Sequence, residues 1–228
     1  MSITTTKPLP GTIKDPRYPE SDGQPLGETE LHVLAILHLY EALGHFFRNH
    51  ADVHIAADMF LYYEQGNPSA CKAPDVMVTK GAMGKHPRRS FRIWEEGVAP
   101  TVIFEVTSDK SRYEDAEAKP RVYAALRVSE YFVFDPDGDD DNPTLTGFRL
   151  HNGVYQQLPL DAAGRLTSQE LGLVLEPECP LLRLVDVRTG RRIMTYSEQA
   201  DAADAERART AEMEAELARL RASQNRPQ

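Results

Sequence analysis

Residues 101–136 hold two short apolar runs on either side of a helical pattern, and this order constrains the fold more than any other stretch. The runs are TVIFEVT at 101–107 and EYFVF at 130–134. The helical spacing between them comes from Val122, Tyr123, Leu126 and Val128. A strand, a helix and a second strand in this order predict two parallel neighbouring strands. We therefore expect an α/β fold built on a mixed sheet.

Glu105 is the one charged residue in the first of these runs. A strand that is apolar on both faces is typical of the centre of a sheet, where both faces are covered. A carboxylate in such a place is costly unless another group binds it. We therefore interpret Glu105 as the centre of a functional site.

The composition is that of one globular domain with extensions, because the chain has 228 residues, of which 41% are hydrophobic and 27% charged. Residues 1–27 contain five prolines and little apolar pattern, which predicts an extended arm. Residues 28–196 carry alternating helix and strand patterns and are expected to form the domain. Residues 197–228 are rich in alanine, glutamate and arginine and predict a helical tail.

Charge and hydropathy exclude two broad classes of protein. No apolar run is long enough to cross a bilayer and the N-terminus has no apolar signal core, so we expect a cytoplasmic protein without a membrane partner. The formal net charge of −9 argues against a protein that coats nucleic acid by overall attraction. It leaves a DNA enzyme open, because carboxylates gathered for metal ions and an acidic tail both lower the total.

A first helix is predicted after residue 28, with Thr29 as its N-terminal cap and Glu30 in its first turn. One apolar stripe at helical spacing is expected to face the core. It consists of Val33, Ile36, Leu37, Tyr40, Leu43 and Phe47. The nearby histidines do not share one face at metal-ligand spacing, so we interpret them as ordinary surface or capping residues. They are His32, His38, His45 and His50.

Strand patterns follow. Residues 53–56 and 59–63 are interpreted as an early pair of strands. Pro74 restricts the next strand to begin near Asp75, which places this carboxylate at a strand end. Asn152 and Gly153 between two short strands predict a hairpin. Further strands are expected at 171–175, 181–185 and 193–196.

Two polar stretches each allow two interpretations. The basic stretch at 80–92 is either a phosphate-binding loop or a solvated loop, and Arg88, Arg89 and Arg92 are its phosphate-binding candidates. In the tail, Thr210, Met213, Leu217 and Leu220 follow three-four spacing. Only the last heptad is apolar, so the tail is either a coiled coil that forms a homo-oligomer, such as a dimer, or a lone solvated helix.

Asp75, Glu105 and Lys119 are the residues that we expect in one site. Two carboxylates from adjacent strands can hold a hard divalent cation such as magnesium. The cation would act as a Lewis acid at a phosphate, while the lysine would orient water and offset developing charge. Pro120 is favoured in the first turn of a helix, so Lys119 is expected near a helix start.

Four motifs in order resemble the Uma-type restriction endonucleases, also labelled Uma family two, of the PD-(D/E)XK nuclease superfamily. The motifs are APDVMV around Asp75, PTVIFEVTS around Glu105, DAEAKPRVY around Lys119 and VSEYFVFDP at 128–136. The resemblance covers roughly residues 23–196. It implies a restriction-endonuclease-like core, an endonuclease that uses Mg²⁺ or Mn²⁺, and DNA as the substrate.

The resemblance also assigns roles to single residues. Asp75 and Glu105 match the metal-binding carboxylates, and Lys119 matches a catalytic lysine on the following helix. The superfamily pattern expects a lysine two residues after the second acid, but Thr107 stands there. The alternative to a metal-dependent DNA endonuclease is therefore a non-catalytic DNA-binding or assembly module that keeps the nuclease fold. Glu28 or Glu30 is a further candidate, as an outer acid that holds a metal-bound water.

Overall fold

The structure is a computed structural model that describes residues 8–21, 23, 28–107, 112–139 and 142–224. Its helices are α1 (Glu30–Phe46), α2 (Ile93–Glu96), α3 (Arg112–Ala125) and α4 (Tyr196–Gln224). The first six strands are β1 (Val53–Ala57), β2 (Leu61–Tyr62), β3 (Cys71–Lys72), β4 (Val76–Lys80), β5 (Phe91–Arg92) and β6 (Val102–Val106). The later strands are β7 (Glu130–Asp139), β8 (Asn142–His151), β9 (Val154–Gln157), β10 (Leu166–Ser168), β11 (Leu173–Glu178) and β12 (Leu181–Asp186).

The main sheet has six strands in the order β1-β4-β6-β7-β8-β9. Strands β6 and β7 are parallel neighbours with α3 between them in sequence, whereas the other pairs in this sheet are antiparallel. The mixed α/β sheet and the C-terminal helix that the sequence predicts are therefore confirmed. Strand β6 is buried at every position, which confirms that the run around Glu105 is a central strand.

The two faces of the main sheet are covered by different elements. Val102, Phe104 and Val106 of β6 share a core cluster with α1 and with the three-stranded sheet β10-β11-β12. Ile103, between them, belongs to a second cluster that includes Tyr123 of α3. Because side chains alternate along a strand, Glu105 lies on the same face as Ile103 and points toward α3.

Helix α1 begins as predicted, with the Thr29 hydroxyl accepting a hydrogen bond from the His32 amide at 3.2 Å. The predicted apolar stripe is wrong in three positions, because Val33, Leu37 and Tyr40 are exposed. The buried face is instead His32, Ala35, His38, Leu39, Ala42 and Leu43. Ala35 and Ala42 are fully buried in one core cluster with Val76 and Phe104 of the sheet. Apolar spacing alone does not single out such small residues.

The predicted pair of early strands is also wrong. Strand β1 pairs with β4, whereas β2 pairs with β3 and β5 in a separate small sheet. The Asn-Gly hairpin is confirmed between β8 and β9, with φ of 51° at Asn152 and 83° at Gly153. The strand predicted at 193–196 is wrong, because residues 193–195 belong to no strand and Tyr196 begins α4. An isolated bridge joins Val185 to Arg192 just before it.

The chain divides into two compact units, Met1–Ile193 and Met194–Gln228. In the described part of the N-terminal arm, Tyr18 is buried, and the carbonyl oxygen of Pro19 accepts a hydrogen bond from the Tyr62 hydroxyl at 2.7 Å. In the second unit, Thr195 and Glu198 form a reciprocal capping box at the start of α4. No helix in the described residues is long and apolar enough to span a membrane.

Candidate active site

Glu105 lies at the carboxyl end of β6 with no exposed surface. Its Oε2 atom accepts a hydrogen bond from Lys119 Nζ at 2.8 Å, and its Oε1 atom accepts one from the Tyr123 hydroxyl at 2.7 Å. Lys119 and Tyr123 are four residues apart on α3, so both side chains emerge on one face of the helix. The strand–helix–strand unit thus brings the predicted carboxylate and lysine together.

Asp75 directly precedes β4 and lies beside the same end of β6. The register pairs Val76 with Phe104 in antiparallel strands, so Asp75 and Glu105 occupy facing positions at one sheet edge. The Asp75 Oδ2 atom accepts a hydrogen bond from the Val106 amide at 2.6 Å. This bond fixes one carboxylate oxygen and leaves Oδ1 directed elsewhere.

Lys119 is not at a helix start, which corrects one argument from the sequence. Helix α3 begins at Arg112, and Pro120 lies inside it. The ammonium group of Lys119 is held by the buried Glu105 carboxylate, with 20% of the lysine side chain exposed.

Burial dominates the electrostatics of Glu105. Desolvation raises the pKa of Glu105 to about 8, and the nearby Asp75 charge adds to that rise, while Lys119 opposes it. A carboxyl group with a raised pKa loses its proton more readily when a cation is placed beside it. A cation bound between the two acids would therefore favour loss of the Glu105 proton.

His32 completes this edge of the sheet, and the interpretation of it as an ordinary surface histidine is wrong. It is only 7% exposed, and its Nε2 atom lies 3.7 Å from Asp75 Oδ1 and 3.9 Å from Glu28 Oε2. Interaction with the Asp75 carboxylate raises the pKa of His32 although burial opposes that rise. The sequence signal for the contact between Glu28 and His32 was their four-residue spacing at the head of α1.

A pocket of about 300 Å³ opens beside these residues. Its polar wall contains Glu28, His32, Asp58 and Asp75, and its apolar wall contains Val33, Ile36 and Leu37 of α1. Solvent or a ligand can therefore approach Asp75 from the α1 side. Lys119 and Tyr123 approach Glu105 from the α3 side.

Residues 8–184 match the Uma2 family, which is described as "Putative restriction endonuclease". This chain belongs to the Uma2 family. A solved structure from Anabaena variabilis, described as "a putative nuclease belonging to DUF820", is similar with 10% sequence identity and a TM-score of 0.48. The likeness covers 67% of this chain and 81% of that chain. No curated protein matches the chain.

In this Uma2 protein, Arg88 and Arg92 are buried in ion pairs. Arg88 donates to both oxygens of the buried Glu96 and lies 3.0 Å from His54 Nδ1. His54 of β1 is the strand partner of Thr79 in β4. Thr79 lies four residues from Asp75 along the strand, a separation of about 13 Å. Arg88 therefore contacts the end of β4 that is far from Asp75. Arg92 donates to Glu95, to the Ser90 hydroxyl and to the Ile13 carbonyl oxygen.

Arg89 differs from these two because half of its side chain is exposed, although it is paired with Glu20. Among the predicted phosphate-binding arginines, it is therefore the one with an accessible guanidinium group. Glu30, the other predicted outer acid, is an exposed residue at the first position of α1. Glu28 is the one of the two acids that lines the pocket with Asp75.

Thr107 occupies the place where the superfamily pattern has a lysine. It is 4% exposed, and its amide donates to the Phe134 carbonyl oxygen at 2.8 Å. Within the described residues, no group of three or more His, Cys, Asp and Glu side chains is arranged to hold a metal ion. Any cation would therefore depend on two carboxylates with water and substrate, as Mg²⁺ often does, or on a shift of nearby side chains.

Proposed function

We propose that this Uma2 protein is an endonuclease that hydrolyses DNA phosphodiester bonds with the help of Mg²⁺ or Mn²⁺. Asp75 and Glu105 are the proposed metal-binding carboxylates, and Lys119 is the proposed catalytic lysine. The observation that carries the proposal is the 2.8 Å contact of Lys119 Nζ with the buried Glu105, at the sheet edge where Asp75 also lies.

The donor set fits a hard divalent cation. Both acids offer oxygen atoms. Burial raises the pKa of Glu105 to about 8, and a cation bound beside it would favour the charged carboxylate. When bound, the cation supplies Lewis-acid polarisation of a phosphoryl oxygen. Asp75 and Glu105 would hold it, with Val106 and Tyr123 fixing one oxygen of each carboxylate.

The remaining chemistry falls to Lys119. Its ammonium group is a donor in a largely dehydrated place, where charge–charge interactions are stronger than in water. Lys119 would orient the attacking water and stabilise negative charge that develops on the phosphate. The lysine reaches this position from α3, so no lysine is required at Thr107.

A non-catalytic module that keeps the fold is the second candidate, and Thr107 favours it. The buried threonine offers no cation beside the carboxylates, and both Glu105 oxygens are already satisfied by protein groups. Such a protein would bind DNA or assemble with other chains without cleaving DNA.

Cleavage of supercoiled and single-stranded DNA with Mn²⁺ or Mg²⁺ tests the proposal. We compare the parent with Glu105→Gln and Lys119→Ala, and we expect each to lower the rate about 100-fold or more. Lys80→Ala is the control, because Lys80 is also ion-paired, with Glu170 at 3.0 Å, at the other end of β4. Equal activity in all four proteins would indicate a contaminant and refute the assignment. No cleavage by any of them, with DNA binding intact, would favour the non-catalytic module.

A further inference from the structure

His32 is a buried imidazole without a clear hydrogen bond from either ring nitrogen. Nδ1 is buried and has no hydrogen-bond partner among the described residues. Nε2 faces Asp75 and Glu28 at 3.7 and 3.9 Å, which is longer than a direct hydrogen bond. The carboxylates near the imidazole face Nε2, and this is the ring nitrogen that can bind a further group in the pocket.

The spacing around Nε2 suits an inserted cation. Two atoms can both bond one metal ion when their separation is less than twice the bond length, which is about 2.0–2.2 Å for imidazole nitrogen and carboxylate oxygen. The separations of 3.7 and 3.9 Å meet that condition. Glu28 is 44% exposed at its side chain, so it can turn toward an ion in the pocket while His32 and Asp75 keep their places.

We propose that His32 is a nitrogen ligand of the cation at Asp75 and that it tunes the site toward first-row transition metals such as manganese over magnesium. Magnesium prefers oxygen ligands, whereas imidazole suits transition metals. The inference rests on the proposed function for the presence of a cation. It adds a third protein ligand and a metal preference that the two carboxylates alone do not supply.

Pulsed electron paramagnetic resonance of Mn²⁺ bound to the untagged full chain tests the ligand directly. The parent labelled with ¹⁵N-histidine should show ¹⁵N modulation in place of the ¹⁴N signal of unlabelled protein. This measurement needs no variant, so a folding defect cannot obscure it. Absence of a histidine nitrogen signal on Mn²⁺ bound at this site would overturn the inference.

Calorimetry of His32→Gln and His38→Gln with Mn²⁺ and Mg²⁺ tests the preference. His38 is the matched control, because it is 6% exposed on the same helix. We expect His32→Gln to lower the ratio of Mn²⁺ to Mg²⁺ affinity about 10- to 100-fold, and His38→Gln to leave it unchanged. An unchanged ratio in both variants would refute the role of His32 even if Glu105→Gln abolishes cleavage. If the parent binds no Mn²⁺ in a manner that depends on Asp75, the inference fails together with the metal dependence of the proposed function.

Discussion

Replacing Glu105 with glutamine should make the metal-free protein more stable at neutral and alkaline pH, although it removes a residue of the proposed active site. The side chain is fully buried, and burial raises the pKa of Glu105 to about 8. Glutamine has nearly the same shape and can still accept the hydrogen bond from Tyr123. Its NH2 group then faces Lys119, whose side chain is 20% exposed and can turn its ammonium group toward solvent. The glutamine carries no charge, so it avoids the cost of burying a carboxylate.

The sign follows from proton linkage. In the unfolded chain the carboxyl loses its proton near its ordinary pKa of 4.5, whereas in the folded protein it keeps the proton up to about pH 8. The folded state therefore binds more protons in this window, and stability falls as pH rises through it. The loss is at most about 1.4 kcal/mol for each pH unit. Glu105→Gln should remove this contribution to the pH dependence.

Urea unfolding of EDTA-treated protein at pH 5 and pH 8 measures the effect. The advantage of Glu105→Gln over the parent should be larger at pH 8 than at pH 5. Glu130→Gln is the matched control, because Glu130 is equally buried but accepts hydrogen bonds from Arg149, Ser168 and two backbone amides. It should lose stability, since those bonds to a charged acceptor are weakened. A Glu105→Gln protein that is no more stable than the parent at pH 8 would refute the reasoning.

Three further outcomes are expected. Tyr123→Phe should lower the free energy of unfolding in urea by about 1.5–3 kcal/mol, because it removes the hydroxyl bound to the Glu105 carboxyl group. The loss should be smaller when Glu105→Gln is also present, and equal losses with and without that change would contradict the contact. Arg88→Met should lower the free energy of unfolding by about 3–5 kcal/mol, since it leaves the buried charge of Glu96 without its partner. Calorimetric melting measures this loss, and an unchanged melting temperature would contradict it. The exposed apolar positions of α4 would let two copies of the chain pair through their tails. Deleting residues 197–228 should then lower the mass in light scattering to that of one chain. An unchanged number of chains per particle would exclude the tail as the oligomerisation element.

The strand–helix–strand unit and the buried glutamate were readable from the sequence. The run around Glu105 is apolar on both faces, and such a pattern has few solutions other than a central strand. Asn152 and Gly153 fixed a hairpin because both residues tolerate positive φ. The absence of glycine and proline, together with good helix formers, predicted the helix that the structure shows as α4.

The predictions that were wrong concern features that are set by packing between segments distant in sequence. Apolar spacing alone favoured the face of α1 that includes Val33 and Leu37, but the helix buries Ala35 and Ala42 against the sheet. Pro120 was expected to mark a helix start, yet α3 accommodates it in its interior. Propensity and periodicity are local preferences, and tertiary contacts override them when a close approach of two elements is more favourable.

The sequence by itself determined that a carboxylate would be buried in a central strand, with a lysine on the next helix. Only the tertiary structure decided what surrounds that carboxylate. His32 reaches Asp75 across 43 positions of the chain, and Arg88 is paired with Glu96 in the interior instead of being free for phosphate. Such neighbours are set by the register of β4 against β6 and by the placement of α1. No local pattern encodes these arrangements, because they depend on how the whole core packs.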